Sequence, residues 1–105
     1  EQADLSGLVI AYEPVWAIGE GAVPASPNDT NQMLAAIRQR VSEVFKPETA
    51  DGIPLLYGGS INAQNAVAVF RESEVNGLFI GRAALSCDGF LEILGLAERQ
   101  LIGAC

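Results

Sequence analysis

Histidine is absent from the 105 residues. That removes Ser-His-Asp and Cys-His catalysis, and with them the usual general base near neutral pH. Acid–base chemistry must then use carboxylates, Tyr12, Tyr57 or Lys46. Cysteine is scarce. Cys87 and Cys105 form no CxxC pair and have no histidine partner, so they read as two free thiols of a reducing compartment rather than a disulfide scaffold or a metal site. Basic residues are few and dispersed: Arg38, Arg40, Lys46, Arg71, Arg82 and Arg99 stand singly against 13 acidic residues, for a net charge of −7. A nucleic-acid surface needs clustered cations that displace counterions, and none is present. No run of about 18 apolar residues exists, so no membrane-spanning helix is encoded. Glu1-Gln2-Ala3-Asp4 lacks the basic and apolar regions of a signal peptide. The expectation is a cytoplasmic protein with no metal and no nucleic-acid or membrane partner.

What is present suits a modest globular core: half of the residues are apolar and 18% charged. The pattern is strand, loop, helix, three times over, with no domain boundary. Leu8-Val9-Ile10-Ala11 is a short apolar run, as in a strand buried on both faces. A glycine- and proline-bearing loop follows from Pro14 to Ala25. Ser26 then suits a helix cap, Pro27 the first helical position and Asp29 the positive end of the helix dipole. Leu34, Ile37, Val41 and Val44 fall on one helical face. After a polar connection, Lys46 to Gly52, the second strand is Ile53 to Tyr57 and ends in a tight turn, Gly58-Gly59-Ser60. Asn62 can cap a second helix with Ala66, Val67 and Phe70 inward. Asn76-Gly77 punctuates before the third strand, Leu78-Phe79-Ile80. A last helix is expected from about Asp88 to Ile102 with Phe90, Leu94, Ala97 and Leu101 facing the core. Strands alternating with helices imply an α/β fold with parallel pairing. Three such units cannot close a (β/α)8 barrel, which takes about 250 residues, so the chain is either a small open α/β domain or a piece of something larger.

Each strand ends in a cluster of small or polar residues: Tyr12-Glu13-Pro14, Tyr57-Gly58-Gly59-Ser60 and Gly81-Arg82-Ala83-Ala84. In parallel α/β folds that edge gathers ligands. An acidic chain repels anions at long range, so an anion site here depends on local geometry. Two glycine-bearing turns allow backbone N–H groups to approach a phosphate; equally, the glycines serve tight βα turns and nothing more. Glu13 follows an apolar strand and precedes a proline. Partial burial would raise its pKa and suit it to proton abstraction, whereas a solvated loop glutamate is the simpler reading. Trp16, flanked by Pro14 and glycines, is either part of a hinged lid over a ligand or an ordinary buried tryptophan. Gly19-Glu20-Gly21 fails as a dinucleotide fingerprint, because Pro24 occupies the third glycine position and the helix starts only near Pro27.

The string Ala11-Tyr12-Glu13-Pro14-Val15-Trp16-Ala17-Ile18-Gly19-Glu20-Gly21 closely resembles the signature of the triosephosphate isomerase family. Tyr57 to Ser60 is similar to that family's seventh loop, and Gly77 to Leu85 to its eighth. The order and spacing agree over almost the whole chain. The resemblance implies one partial domain over residues 1–105, the C-terminal portion of a (β/α)8 barrel with strands six to eight and their helices. It implies an aldose–ketose isomerase interconverting dihydroxyacetone phosphate and glyceraldehyde 3-phosphate, without metal or organic cofactor. Glu13 becomes the base. Gly19, Ser60, Gly81 and Arg82 hold the substrate phosphate through backbone amides. Pro14, Val15, Trp16, Ala17, Ile18 and Gly21 belong to a lid that runs to about Pro24, supported by Tyr57, Gly58 and Gly59. The implied partners are a small phosphorylated sugar, the missing N-terminal half of the barrel, and a second copy in a homodimer of the complete chain.

The family's loop lysine and loop histidine, which stabilise charge on the enediolate oxygen, belong to strands upstream of Glu1. The 105 residues alone are therefore expected to be inactive. There are three departures from the family pattern. Glu20 stands where threonine is common, Ala22-Val23-Pro24 replaces the usual end of the lid, and Arg82 stands where a second glycine is usual. The Arg82 side chain either points outward, leaving only its amide in the site, or adds a phosphate contact or trims the pocket. These departures admit two other readings, an isomerase of a four-carbon ketose phosphate and a non-catalytic half-barrel that binds phosphorylated ligands.

Overall fold

The computed structural model describes residues 5–19 and 21–103. The signal-peptide argument on Glu1 to Asp4, the departure at Glu20 and the thiol of Cys105 lie outside the described residues. Three short strands, β1 (Ile10–Tyr12), β2 (Leu55–Tyr57) and β3 (Gly77–Leu78), form one parallel sheet in chain order. Tyr12 pairs with Tyr57 and Tyr57 with Leu78, so the three C-terminal ends lie level. The ladder extends past the strands: Gly58 N donates to Tyr12 O at 3.1 Å and Phe79 N to Tyr57 O at 3.0 Å. Parallel neighbours require a crossover between them. The first is made by α1 (Pro27–Val44) with the short α2 (Pro47–Asp51), the second by α3 (Ala66–Phe70), and α4 (Cys87–Gly103) follows β3.

Helix α1 begins as its sequence predicts. Ser26 Oγ accepts from Asp29 N at 3.0 Å, and Pro27 sits at the first position, where its missing N–H costs nothing. Leu34 is fully buried, with Ile37 and Val41 packed against the core. Val44 is exposed, contrary to expectation. An 18-residue helix is about 27 Å long and outruns three-residue strands of about 10 Å, so its last turn has no sheet beneath it. The connection from Lys46 to Gly52 is more regular than expected, because Pro47 opens α2. Asn62 caps the second crossover: its Oδ1 accepts from Gln64 N and Asn65 N, while its carbonyl accepts from Ala66 N.

Three inward faces differ from those expected. The first strand starts two residues later than the apolar run, and Leu8 and Val9 are exposed. As the first strand in the order, β1 has one neighbour only, so it is not enclosed on both sides. In α3 Ala66 is buried and Phe70 packs half-buried against the core, as expected, but the second buried residue is Val69 rather than Val67. In α4 Ile93 is the buried anchor, while Phe90, Leu94 and Leu101 are 44%, 52% and 64% exposed. Helix α4 is apolar over a wide arc, and α3 and the sheet cover only part of it. The remainder lines an open groove of about 520 Å³ with Phe70, Leu78 and Ile80. The core proper gathers Leu34, Ile53, Leu55, Tyr57, Ile61, Ala66, Val69, Val75 and Ile93. No described helix is long and apolar enough to cross a membrane.

Candidate active site

The three loops leaving the strands converge because the strand ends are level. Glu13 follows β1 directly, the turn Gly58-Gly59-Ser60 follows β2, and Gly81-Arg82 follows β3. Together they enclose a cavity of about 170 Å³ lined by Glu13, Ile18, Gly19, Gly59, Ser60, Ile61, Phe79, Gly81 and Arg82. The structure thus brings the expected base and all four expected phosphate residues to one rim of the sheet. Among the described residues Glu13 and Arg82 are the only charged ones in this lining. Neither side chain has a hydrogen bond or ion pair among the described residues.

The loop after β1 folds back through a 3-10 turn, Val15–Ala17, in which Ala17 N donates to Pro14 O at 3.0 Å. Val23 N returns to Trp16 O at 3.4 Å and closes the loop on itself. Gly19 has φ +88°, a left-handed conformation that a side chain would strain, and its position on the cavity wall depends on it. Of the expected lid residues, only Ile18 lines the cavity. Pro14 and Trp16 line a separate hollow with Tyr12, Thr30, Met33 and Tyr57, between this loop and α1. Trp16 is 57% exposed, so it is not an ordinary core tryptophan, and Val15 projects further still. Ala17 is the buried residue of the turn.

Two loops far apart in sequence are tied at Ala17. Ser60 Oγ donates to Ala17 O at 2.6 Å. Ser60 itself holds φ +54°, uncommon for a residue with a side chain. Gly59 sits beneath the same turn. A Cβ there would meet Tyr57 Oη at 2.8 Å and Ala17 Cβ at 3.1 Å, so glycine is required by close approach. Asn65 Nδ2 donates to Ser60 O at 2.9 Å and fixes the turn from the other side. Tyr57 packs against Tyr12, with ring centroids 6.2 Å apart. Its hydroxyl is buried without a hydrogen-bond partner, as is Thr30 Oγ1. Burial pushes the Tyr57 hydroxyl pKa up; Thr30 and the Ala25 backbone lie near enough to pull the other way but do not reach hydrogen-bonding geometry with it.

Sequence reasoning missed three contributors. Ile61 and Phe79 line the cavity, and Thr30 lies against Tyr57 behind the loop. Phe79 carries a usable signal: it continues the third apolar run by one residue beyond the sheet, so its ring lies at the rim. Ile61 and Thr30 carry none, because their positions depend on how turn and helix dock.

The family model described as triosephosphate isomerase matches residues 1–97. The triosephosphate isomerase of Halorhodospira halophila is 47% identical over 95 residues, covering 90% of this chain and 38% of the relative. That of Alkalilimnicola ehrlichii is 49% identical over 91 residues, covering 87% and 36%. That of Porphyromonas gingivalis is 45% identical over 94 residues, covering 90% and 37%. The chain therefore spans less than two-fifths of the length of these relatives. A match over nearly all of its residues, a range that includes the loops that build the cavity, shows that the chain belongs to the triosephosphate isomerase family.

Proposed function

We propose that these residues form the last three βα units of an eight-stranded barrel and supply the base and phosphate seat of a triosephosphate isomerase. The open edges of β1 and β3 and the apolar groove beside α4 support a remainder that covers them. The single observation that carries the reading is the shared cavity: the Glu13 carboxylate and the turns at Gly19, Ser60 and Gly81 line one space. A phosphate seated on the amides of Gly19, Ser60, Gly81 and Arg82 places the substrate's carbons beside Glu13. The carboxylate takes a carbon-bound proton from dihydroxyacetone phosphate, leaving an enediol(ate), and returns a proton to the neighbouring carbon to give glyceraldehyde 3-phosphate. The oxygen-bound charge that develops in between requires donors. This chain has no histidine, and the resemblance assigns those donors to a lysine and a histidine of the remainder. The 105 residues by themselves are accordingly inactive, and the complete protein is a homodimer.

Replacing Glu13 tests the reading. In the whole protein, Glu13→Gln should lower kcat by about 10²–10⁴-fold, the range for loss of a positioned base, with inhibition by inorganic phosphate nearly unchanged. Near-normal turnover refutes the assignment. A four-carbon ketose phosphate is the second reading. It is favoured by the charged Arg82 in the cavity lining, where the family pattern has glycine, and by the altered end of the loop at Ala22-Val23-Pro24. Comparing kcat/KM on triose and tetrulose phosphates decides between them: a much larger value on the four-carbon sugar selects the second.

A further inference from the structure

We propose that the Arg82 guanidinium, and not only its backbone amide, binds the substrate's phosphate dianion. The inference rests on the phosphate seat proposed above and goes beyond it, because it adds a side-chain ligand at a position where the family pattern offers none.

The chain has six cations. Arg38 is bound to Glu74, Arg40 to Glu43 and Arg71 to Gln100. Lys46 and Arg99 are absent from the cavity lining. Arg82 alone among the cations lines it, and its guanidinium has no hydrogen bond or ion pair among the described residues. Its residue is exposed, so the guanidinium is free to move over the turn from which it springs.

Among the described residues the only counter-charge in the lining is Glu13, and the two do not pair within 4 Å. A guanidinium and a carboxylate in one small cavity attract each other. Keeping them apart leaves each available: the carboxylate for a proton, the guanidinium for an anion. Elsewhere the protein repels anions, with its net charge of −7. One arginine at the mouth offsets that repulsion locally. Its planar array of donors matches two phosphate oxygens at once, which backbone amides cannot do from a single residue.

Calorimetric titration of the whole protein with inorganic phosphate tests this directly, using Arg82→Gln and Arg82→Lys. Loss of a charge-assisted contact of this kind weakens binding by about tenfold or more. Arg82→Gln should therefore raise the phosphate dissociation constant at least tenfold, and Arg82→Lys should recover part of the loss. In steady-state kinetics Arg82→Gln should raise KM for the phosphorylated sugar while kcat stays within about threefold. A merely structural role would instead disturb Glu13 and lower kcat. A phosphate dissociation constant within twofold of the parent's in Arg82→Gln overturns the proposal, and so does absence of phosphate binding by the parent. Isomerase turnover of the parent judges the underlying reading separately. An active parent whose phosphate affinity ignores Arg82 sinks this inference alone, whereas an inactive parent that loses phosphate affinity on substitution sinks the isomerase reading alone.

Discussion

Arg38 should be worth more to stability than any other single polar side chain among the described residues. It projects from α1 with a side chain only 16% exposed. Nε donates to Glu74 Oε1 at 2.8 Å, Nη2 to Asn76 Oδ1 at 2.8 Å, and Nη1 to the carbonyls of Ala50 and Ile53. Asn76 Oδ1 in turn accepts from Leu55 N at 2.8 Å. One guanidinium thus joins α1, the end of α2, the entry to β2 and the turn before β3. Arg38→Met keeps much of the apolar stem and removes every donor. The carbonyls of Ala50 and Ile53, in residues 1% and 3% exposed, then lose a charged partner with little access to water. Glu74, 28% exposed, recovers part of its loss by hydration. Hydrogen bonds to a charged group are worth about 1.5–3 kcal/mol each, and bonds sharing one group do not add. Breaking a largely buried pair by removing one partner costs about 3–5 kcal/mol. With Glu74 partly solvated, the expected loss is about 3 kcal/mol. For a urea slope of about 2 kcal/mol per M, that moves the unfolding midpoint down by more than 1 M at constant slope. Arg38→Lys, which can satisfy only some of these acceptors, should fall between. Activity of the whole protein should stay within about twofold, because Arg38 lies at the edge where the strands begin and touches nothing in the cavity. A midpoint shift below about 0.3 M would refute the reasoning and mean that water replaces the guanidinium at no cost.

Two further outcomes follow from the loops. Ser60→Ala removes the hydroxyl that holds Ala17 O but keeps the left-handed backbone, and should cost about 1 kcal/mol; Ser60→Gly loses the same bond but relieves the backbone, so it should be less destabilised in the same denaturation assay. If Ser60→Ala is as stable as the parent, the tie between the loops contributes nothing. Tyr57→Phe discards a buried hydroxyl that has no partner, so at pH 7 its stability should stay within about 1 kcal/mol of the parent's. The folded-state pKa of Tyr57 is raised above its ordinary value of 10.0 by burial. Its contribution is therefore intact below pH 10 and declines as pH rises through the higher folded value. Tyr57→Phe should accordingly lose less stability than the parent above pH 10, as urea midpoints at pH 7 and pH 10.5 will show; equal losses would refute it.

The architecture was legible where local chemistry and periodicity agree. Ser26, Pro27 and Asp29 mark the start of α1 through one side-chain bond and one missing donor, both local effects. The alternation of apolar runs with helical patterns points to parallel pairing, and the strand ends with their polar clusters lead to Glu13, Ser60 and Gly81 on one rim. What was not legible depends on which neighbour each face meets. Helix α4 is apolar over so wide an arc that its pattern fits either Phe90, Leu94 and Leu101 or Ile93 as the buried face; the docking against α3 selects Ile93. In α3 the choice of Val69 over Val67 is made in the same way. Trp16 shows the limit at the site itself. Its flanking proline and glycines mark an irregular loop, but whether the indole faces the cavity or the hollow beside α1 depends on the turn at Ala17, which Ser60 holds from 43 residues away.

The two edges of the sheet are built on opposite terms. Where the strands begin, Arg38, Glu74 and Asn76 satisfy one another and the backbone carbonyls, and α2 closes the entry to β2. Where the strands end, the cavity lining keeps a carboxylate and a guanidinium without partners among the described residues, a serine in a left-handed conformation and a glycine at positive φ. The left-handed backbone of Ser60 raises the free energy of the folded chain, and it persists only where the rest of the structure over-determines its position. The network at the first edge, the full burial of Leu34, Leu55 and Tyr57 and the tie from Ser60 to Ala17 supply that determination. Proton transfer from carbon needs a base not already engaged, and anion binding needs donors not already satisfied. Such a division predicts that substitutions at Arg38 lower stability with activity preserved, while those at the exposed Glu13 and Arg82 change chemistry and phosphate affinity with stability preserved.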